Sequence, residues 1–570
     1  MPVTIPNHKG SATAAWLPWT LVLIVFASFW PALGADFVAW DDDLNLTDNL
    51  RYRGMSLENL RWMLTTTHGG HYQPLTWISW AIDYLAWGMD PRGYHLTNLV
   101  LHAVAVLVFY ALARRLLFCP AGTGQPGGGD GQGRVPTAAA ASYAAAAGAL
   151  FFAVHPLRVE SVVWVSERRD VLSGVFYLLA LWAYLRMVDA GDHAPEGQRM
   201  RPRQVGHRWL AVSFGCFVLS LLSKAWGMTF PVVLLILDIY PLRRPARDGW
   251  TRVLGEKALY VVPALLAAGA AFAAQRSVED MRTLTEHPLG ARIAQAAYGL
   301  CFYPWKTLVP TDLSPLYLLR PGFDVGTPRF LLSGAIVVVV TVGLIAMRRR
   351  WPWALAVWAV YAVIVSPVLG LAQTGPQLVA DRYSYLSCLP WALLVAAAVL
   401  RLSCVSRSTG AAVRGGAVLV VMVLAVFTFR QSSVWTDSET LWSHAIRLDP
   451  TNHIAFTNRG FARTDPERAL ADYAEALRLD PRFYLAYFNR GELREQLGDH
   501  IGAIADNTAA IDVLPGDPKA YNNRGWAKQA LGDIEGAAAD YRTALELAPV
   551  DWVNRDLVEG NLARVLSERG

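Results

Sequence analysis

Residues 413–430 read VRGGAVLVVMVLAVFTFR, an apolar run with arginine only near its ends, and the next residues, QSSVWTDSET, turn abruptly polar. Crossing a hydrocarbon layer takes about 20 apolar residues at 1.5 Å rise each. Upstream, similar runs centre on 16–33, 96–113, 137–154, 171–188, 208–222, 225–240, 257–275, 329–347, 352–370 and 385–402. With 413–430 they make eleven spans, which predicts an all-α, polytopic membrane bundle over residues 1–430. A twelfth stretch, 291–309, is ambiguous. Basic loops mark the cytoplasmic side, and five qualify: Arg114, Arg115 and Arg134; Arg199 to Arg208; Arg243 to Arg252; Arg348 to Arg350; and Arg401, Arg407 and Arg414. They share one side only if 291–309 does not cross, so it is read as an interfacial helix. The N-terminus is then cytoplasmic and the C-terminus external. Ala32-Leu33-Gly34-Ala35 resembles a small-residue cleavage site, but only His8 and Lys9 precede the first span as basic residues, so that span is read as retained. Residue 36 onward emerges outside either way.

Composition supports two solvents. The 570 residues are 54% hydrophobic and 17% charged, with mean hydropathy +0.27 and 22 tryptophans. Disorder, collagen and a small disulfide-stapled fold are excluded. Residues 431–570 hold 15 Lys and Arg against 22 Asp and Glu, a net −7, so the chain's +5 leaves +12 on residues 1–430. The cysteines Cys119, Cys216, Cys301, Cys388 and Cys404 stand singly, without a CxxC pair, and read as packed thiols.

The tail repeats itself. Asn489-Arg490-Gly491 recurs as Asn523-Arg524-Gly525, Leu497-Gly498-Asp499 recurs as Leu531-Gly532-Asp533, and Pro481, Pro515 and Pro549 keep register, all at a spacing of 34. Two helices with a small residue at their crossing and a closing proline form the tetratricopeptide (TPR) pattern. An upstream copy, Asn458-Arg459-Gly460, sits 31 residues earlier and has lost about one helical turn. Residues 551–570 look like a capping helix. Residues 431–570 are therefore expected to form an extracytoplasmic TPR α-solenoid, either a protein-binding groove or a rigid spacer.

Under the eleven-span topology, the costly polar residues gather on the external face. They are Asp41, Asp42 and Asp43, then His68, His71 and Gln73, His95, the segment HPLRVESVVWVSERRD (155–170), Lys224, and Asp381-Arg382-Tyr383. Carboxylates with a ring of Lys, Arg and His suit group transfer with a phosphate leaving group: an acid residue takes the acceptor's proton and fixed cations stabilise the departing phosphate. Mutual repulsion within Asp41 to Asp43 favours raising one of their pKa values, which would make that member a better base.

Segment 155–170 is expected to be a short helix at the membrane interface, with Val159, Val162, Val163 and Trp164 apolar. It is read as phosphate-binding through Arg158, Arg168 and Arg169, with His155, Glu160 and Asp170 in support. The bland alternative is a basic loop neutralised by Glu160 and Glu167. Lys224 has a bland alternative too, a side chain snorkelling to the interface.

Several other chemistries fail on their residues. An EF-hand starting at Asp41 has Leu46 where Gly is needed and Tyr52 where Glu is needed. Asn45-Leu46-Thr47 is a sequon too short to carry weight. His68 and His71 read as loop packing rather than a zinc site. A P-loop, a dinucleotide fingerprint and nucleophile triads are absent, and nothing points to nucleic acid.

These stretches resemble a known family. WDDDLNLTDN (40–49), HYQPLTWISWAIDYLAWGMDPRGYHLTNLVLH (71–102), HPLRVESVVWVSERRD, SKAWGMT (223–229), ADRYSYL (380–386) and WTDSETLWSHA (435–445) run in the order found in membrane O-mannosyltransferases with C-terminal TPRs and their bacterial relatives, within the GT-C superfamily. The resemblance implies an integral protein of a bacterial inner membrane that moves a hexose, mannose foremost, from a polyprenyl-phosphate carrier to a Ser or Thr hydroxyl of an exported protein, with inversion. It implies an acidic pair, Asp41 and Asp42, as base, with Asn49 in the family's Asn position, and Arg168, Lys224 and Arg382 as contacts to the lipid phosphate. Asp170, Asp381 and Tyr383 complete the matching motifs. Ala225 and Arg158 depart from the family, which has Glu and often His there. No cofactor is required, although two carboxylates also suit Mg2+ or Mn2+. The rivals are a non-catalytic membrane-anchored TPR scaffold and a transporter for lipid-linked sugars. A transporter would show internal repeats among its spans, and none is visible.

Overall fold

A computed structural model describes residues 15–117, 137–192, 200–277, 281–320, 322, 324–549, 552 and 554–568. His8, Lys9, Cys119, Arg134 and Arg199 lie outside the described residues, as do parts of the 551–570 cap. The described residues are overwhelmingly helical and divide into two compact units, Met1–Asp437 and Ser438–Gly570. The division falls seven residues beyond the composition boundary, because the last long helix, Arg407–Ser432, is followed by a turn, Ser433–Trp435, whose buried Trp435 packs against Trp164 with ring centres 5.8 Å apart.

Each of the eleven apolar stretches contains helix. Among the described residues six helices are long and apolar enough to cross a membrane: Pro91–Leu117, Val165–Ala190, Val205–Ser223, Trp250–Arg276, Pro328–Ala346 and Arg407–Trp435. Two bent pairs, Ala138–Ala153 with Pro156–Val163 and Asp381–Ser387 with Leu389–Ser403, raise the number to eight if each is one span. The other three stretches give shorter apolar helices, Leu17–Ser28, Ala225–Ile239 and Pro352–Val368. The ambiguous stretch forms Leu289–Leu308, which is absent from the helices of spanning length and composition.

Small residues set the crossings. A Cβ on Gly148 would lie 2.6 Å from the Ala392 carbonyl oxygen, so the Ala138–Ala153 and Leu389–Ser403 helices meet backbone to backbone there. Local signals start the helices: Thr137 and Ser406 accept hydrogen bonds from the amides of Ala140 and Thr409, and Ser56 with Asn59 forms a capping box.

The first long loop folds into an aromatic lobe. Leu46, Tyr52, Met63, Trp77, Trp80 and Tyr94 are completely buried together with Val165. Each indole buries on the order of 200 Å², or ~5 kcal/mol. That exceeds the ~1–3 kcal/mol cost of the unpartnered Nε1 groups of Trp77 and Trp80, so apolar burial holds the lobe. Arg168 fastens this lobe to the bundle. Its Nε donates to Asn98 Oδ1 at 2.7 Å, its Nη2 to the Tyr94 carbonyl at 2.7 Å, and its Nη1 pairs with Asp83. The side chain has no exposed surface.

A short antiparallel pair, Tyr317–Leu318 with Gln377–Val379, carries Tyr317 towards the Asp381–Tyr383 turn. Arg292 pins the neighbouring loops by donating to the carbonyls of His287 (2.9 Å), Leu371 (2.7 Å) and Arg282 (2.6 Å).

In the second unit, helix pairs His453–Ala462/Pro466–Leu479, Tyr484–Gln496/His500–Val513 and Pro518–Ala530/Ile534–Leu547 are preceded by Ser438–Leu448 and closed by Arg555–Glu568. The leading helix has 10 residues in the first pair and 13 in the other two, which accounts for the 31-residue offset. Gly498 and Gly532 adopt φ +80°, a left-handed turn that other residues enter only with strain. Each repeat also closes an internal pair: Arg459–Asp472 (2.7 Å), Arg490–Asp506 (2.6 Å) and Arg524–Asp540 (2.7 Å), each guanidinium lying over Phe456, Tyr487 or Tyr521.

Two stability effects follow. Replacing Arg168 by Ala strands the buried Asp83 carboxylate and is expected to cost about 3–5 kcal/mol, read as lost thermal stability in detergent, whereas Arg168→Met with Asp83→Leu recovers most of it. A Cβ on Gly525 would sit 2.9 Å from the Tyr541 ring, so Gly525→Leu should destabilise the repeats by about 1–3 kcal/mol in hydrogen exchange. Gly516→Ala, which meets nothing within 4 Å, is the neutral control.

Candidate active site

The acidic triplet is not three equivalent carboxylates. Asp42 is buried and fully used: one oxygen accepts from the Val38 amide at 3.0 Å, the other from the Ser166 amide at 2.9 Å and hydroxyl at 2.6 Å. Asn45 Nδ2 donates to the same hydroxyl at 3.2 Å. Asp42 thus ties the first loop to segment 155–170. Asp41 is half-buried and accepts no side-chain hydrogen bond among the described residues. Burial pushes its pKa up to about 6, opposed by Arg169 and Arg382 and reinforced by Glu167 and Asp43. Burial takes Asp42 to about 7, against its hydrogen bonds from Ser166 and Val38. Burial also raises Asp43, whose Oδ1 is enclosed without a hydrogen bond. Asn49 holds a turn, accepting from the Arg51 amide at 3.0 Å.

Segment 155–170 contains the expected short helix, set between turns. It forms a turn Pro156–Arg158, a helix Val159–Val163, a turn Val165–Glu167 and the start of Arg168–Asp192, and every residue from 155 to 170 is buried within the protein. Its polar groups take protein partners. The His155 ring lies 3.1 Å from the Thr307 carbonyl and accepts from the Leu157 amide at 3.3 Å. Arg158 donates to the Ser384 carbonyl and lies over Phe152. Glu160 pairs with the Arg382 guanidinium and accepts its backbone amide at 2.8 Å. Asp170 accepts from Ser161 at 2.9 Å.

Three cations converge. Arg169 Nη2 lies 2.6 Å from Glu167 Oε1, Lys224 Nζ lies 2.9 Å from Glu167 Oε2 and 2.6 Å from Asp170 Oδ1, and Arg382 Nε lies 3.3 Å from Glu167 Oε1. Aromatic walls back them: Arg382 is 5.5 Å from the Trp164 ring centre and 5.0 Å from that of Tyr383, and Lys224 is 4.9 Å from that of Trp226. The Tyr383 hydroxyl accepts from Gln377 at 3.0 Å, and Asp381 accepts from the Tyr317 hydroxyl at 3.0 Å. His71 meets Gln275 at 3.3 Å, and burial, then Arg169 and Lys224, hold it well below the usual imidazole range, so it is neutral at pH 7. His95 is buried in the Pro91–Leu117 helix. Cys216, Cys301, Cys388 and Cys404 are free thiols. Among the described residues no three His, Cys, Asp or Glu side chains are grouped to hold a metal ion.

The structure therefore brings together Asp41, Arg169, Lys224 and Arg382, with His71, Glu160, Asp170 and Asp381 around them. It turns Arg168 away into the lobe contact, where it has no face left for a ligand. Sequence reading assigned no role to Ser166, Asp83 or Tyr317 and saw Glu167 only as a neutralising charge. The pairing of Glu167 with a cation two residues on was visible. Its links to positions 224 and 382 were not.

The tetratricopeptide repeat family model matches residues 518–549. Protein O-mannosyl-transferase Tmtc3 of Drosophila melanogaster is 31% identical over 176 residues, 30% of this chain and 17% of that protein. Human protein O-mannosyl-transferase TMTC2 is 28% identical over 186 residues, 32% of this chain and 18% of that protein. Protein O-mannosyl-transferase F38B6.6 of Caenorhabditis elegans is 22% identical over 467 residues, 80% of this chain and 61% of that protein. The chain thus spans less than a fifth of the first two and about three fifths of the third. With apolar helices of spanning length and a tetratricopeptide array, the chain is similar to these TMTC proteins over the shares given.

Proposed function

We propose that the protein is a membrane glycosyltransferase that moves a hexose, mannose foremost, from a polyprenyl-phosphate carrier to a Ser or Thr hydroxyl of an exported protein at the extracytoplasmic face. The supporting observation is Asp41: a half-buried residue whose carboxylate has no hydrogen-bonding partner among the described residues, in the field of Arg169 and Arg382. The names of the relatives support the reaction class.

In this reading the acceptor hydroxyl gives its proton to Asp41 as its oxygen attacks the anomeric carbon. The bond from that carbon to the phosphate oxygen breaks on the opposite side, so the configuration inverts. The electron pair leaves with the lipid phosphate, whose charge falls to Arg169, Lys224 and Arg382. Asp42 anchors the loop that presents Asp41 and takes no part in proton transfer. Proton and leaving charge are both handled by protein groups, so the step as written calls on no cofactor or metal. The TPR array would hold the acceptor protein.

Purified protein with radiolabelled polyprenyl-phosphate mannose and exported Ser/Thr-rich peptides tests this. Asp41→Asn should lower transfer by about 10²–10⁴-fold with unchanged folding. Asp42→Asn should reduce thermal stability more than Asp41→Asn does, and turnover per folded molecule less. Equal turnover by wild type and Asp41→Asn rejects the base assignment, and label-free product from every peptide rejects the acceptor class. The wild-type rate should fall as pH drops through about 6, where Asp41 gains its proton.

A further inference from the structure

Glu167 is fully buried, yet three cations from three separate segments share its two oxygens. Arg169 comes from the start of the Arg168–Asp192 helix that follows the Glu167 turn, Lys224 from the residue preceding the Ala225–Thr229 turn, and Arg382 from the Asp381–Tyr383 turn. Cations this close repel unless an anion sits between them, and a buried carboxylate is retained only with such partners. Among the described residues Asp170 pairs with Lys224 and Glu160 with Arg382. Glu167 is the one described carboxylate that touches all three. The cations keep some exposed surface, 18% of the Lys224 side chain, 9% of Arg382 and 8% of Arg169, whereas Glu167 keeps none. The carboxylate is behind and the cations are in front.

We propose that Glu167 is the positioning residue that gathers Arg169, Lys224 and Arg382 into a single face for the phosphate of a lipid-phosphate ligand. This rests on the reading of the site as a transferase with a phosphate leaving group and adds a residue which that reading did not use. Glu167 does not touch the reacting atoms. It sets the spacing of the groups that do.

The charged neighbours make the role measurable. Glu167 is faced by Arg169, Lys224 and Arg382 and lies in the field of Glu160, Asp170, His71 and Asp41. Asp41 in turn is faced by Arg169, Arg382, Glu167, Asp42 and Asp43. Removing the Glu167 charge leaves the cations' pull on Asp41 less opposed, which favours ionised Asp41.

Two variants of the full chain in detergent separate positioning from folding. Glu167→Asp keeps the charge but withdraws it by one methylene, and Glu167→Gln keeps the reach but loses the charge. The probes are farnesyl phosphate and farnesol, the same chain without phosphate. Both variants should bind farnesyl phosphate at least tenfold more weakly and farnesol as wild type does, and Glu167→Gln should move the acidic limb of the transfer profile to lower pH. Unchanged farnesyl phosphate affinity in the variants, parallel loss of both probes, or no farnesyl phosphate binding by wild type overturns the proposal. Selective weakening of farnesyl phosphate without sugar transfer by wild type would uphold the phosphate face and reject the transferase reading instead.

Discussion

Charge buried among helices has to be answered by charge, and in this protein one short segment carries most of that requirement. Residues 155–170 are all buried, yet they include Arg158, Glu160, Glu167, Arg168, Arg169 and Asp170. Arg169 closes on Glu167 within the segment, and the other ion pairs reach out to separate elements: Arg168 to Asp83 in the first lobe, Glu167 and Asp170 to Lys224 ahead of the Phe230–Ile239 helix, and Glu160 to Arg382 ahead of the Leu389–Ser403 helix. A buried ion left alone costs several kcal/mol, far more than an exposed pair contributes. The relative placement of these elements is therefore restricted by ion pairing as well as by apolar packing. The candidate site lies where the restrictions meet.

The same economy separates the adjacent aspartates. Asp42 spends both oxygens on the Val38 and Ser166 groups, and this attachment leaves Asp41 beside the cations with its own oxygens available. Arg168 and Arg169 divide in the same manner: neighbours on a helix start point in different directions, one into Asp83 and one into Glu167. Adjacent residues thus take different partners at single-residue resolution.

That alternation marks the limit of what the sequence discloses. The apolar stretches and the 34-residue register depend on local composition and periodicity, so helices, repeats and the short first repeat were legible residue by residue. So was the gathering of Asp41, Lys224 and Arg382, through their motifs. The different environments of Asp41 and Asp42 were not, because Asp42 is tied to Ser166, 124 positions away. Nor was the burial of 155–170, since its apolar spacing fits a surface helix equally well until Asp83, Lys224 and Arg382 are known to cover its charges. Residue 168 fits the family's arginine position, but a motif match does not say which way a guanidinium turns.

The tail obeys a different logic. In each of its three repeats an arginine on the first helix closes on an aspartate of the second, Arg459 on Asp472, Arg490 on Asp506 and Arg524 on Asp540. This ion pair thus begins and ends inside its own unit. A repeat gained or lost whole therefore carries both members of this pair with it, whereas a segment removed from the bundle would leave the partner of its buried ion behind.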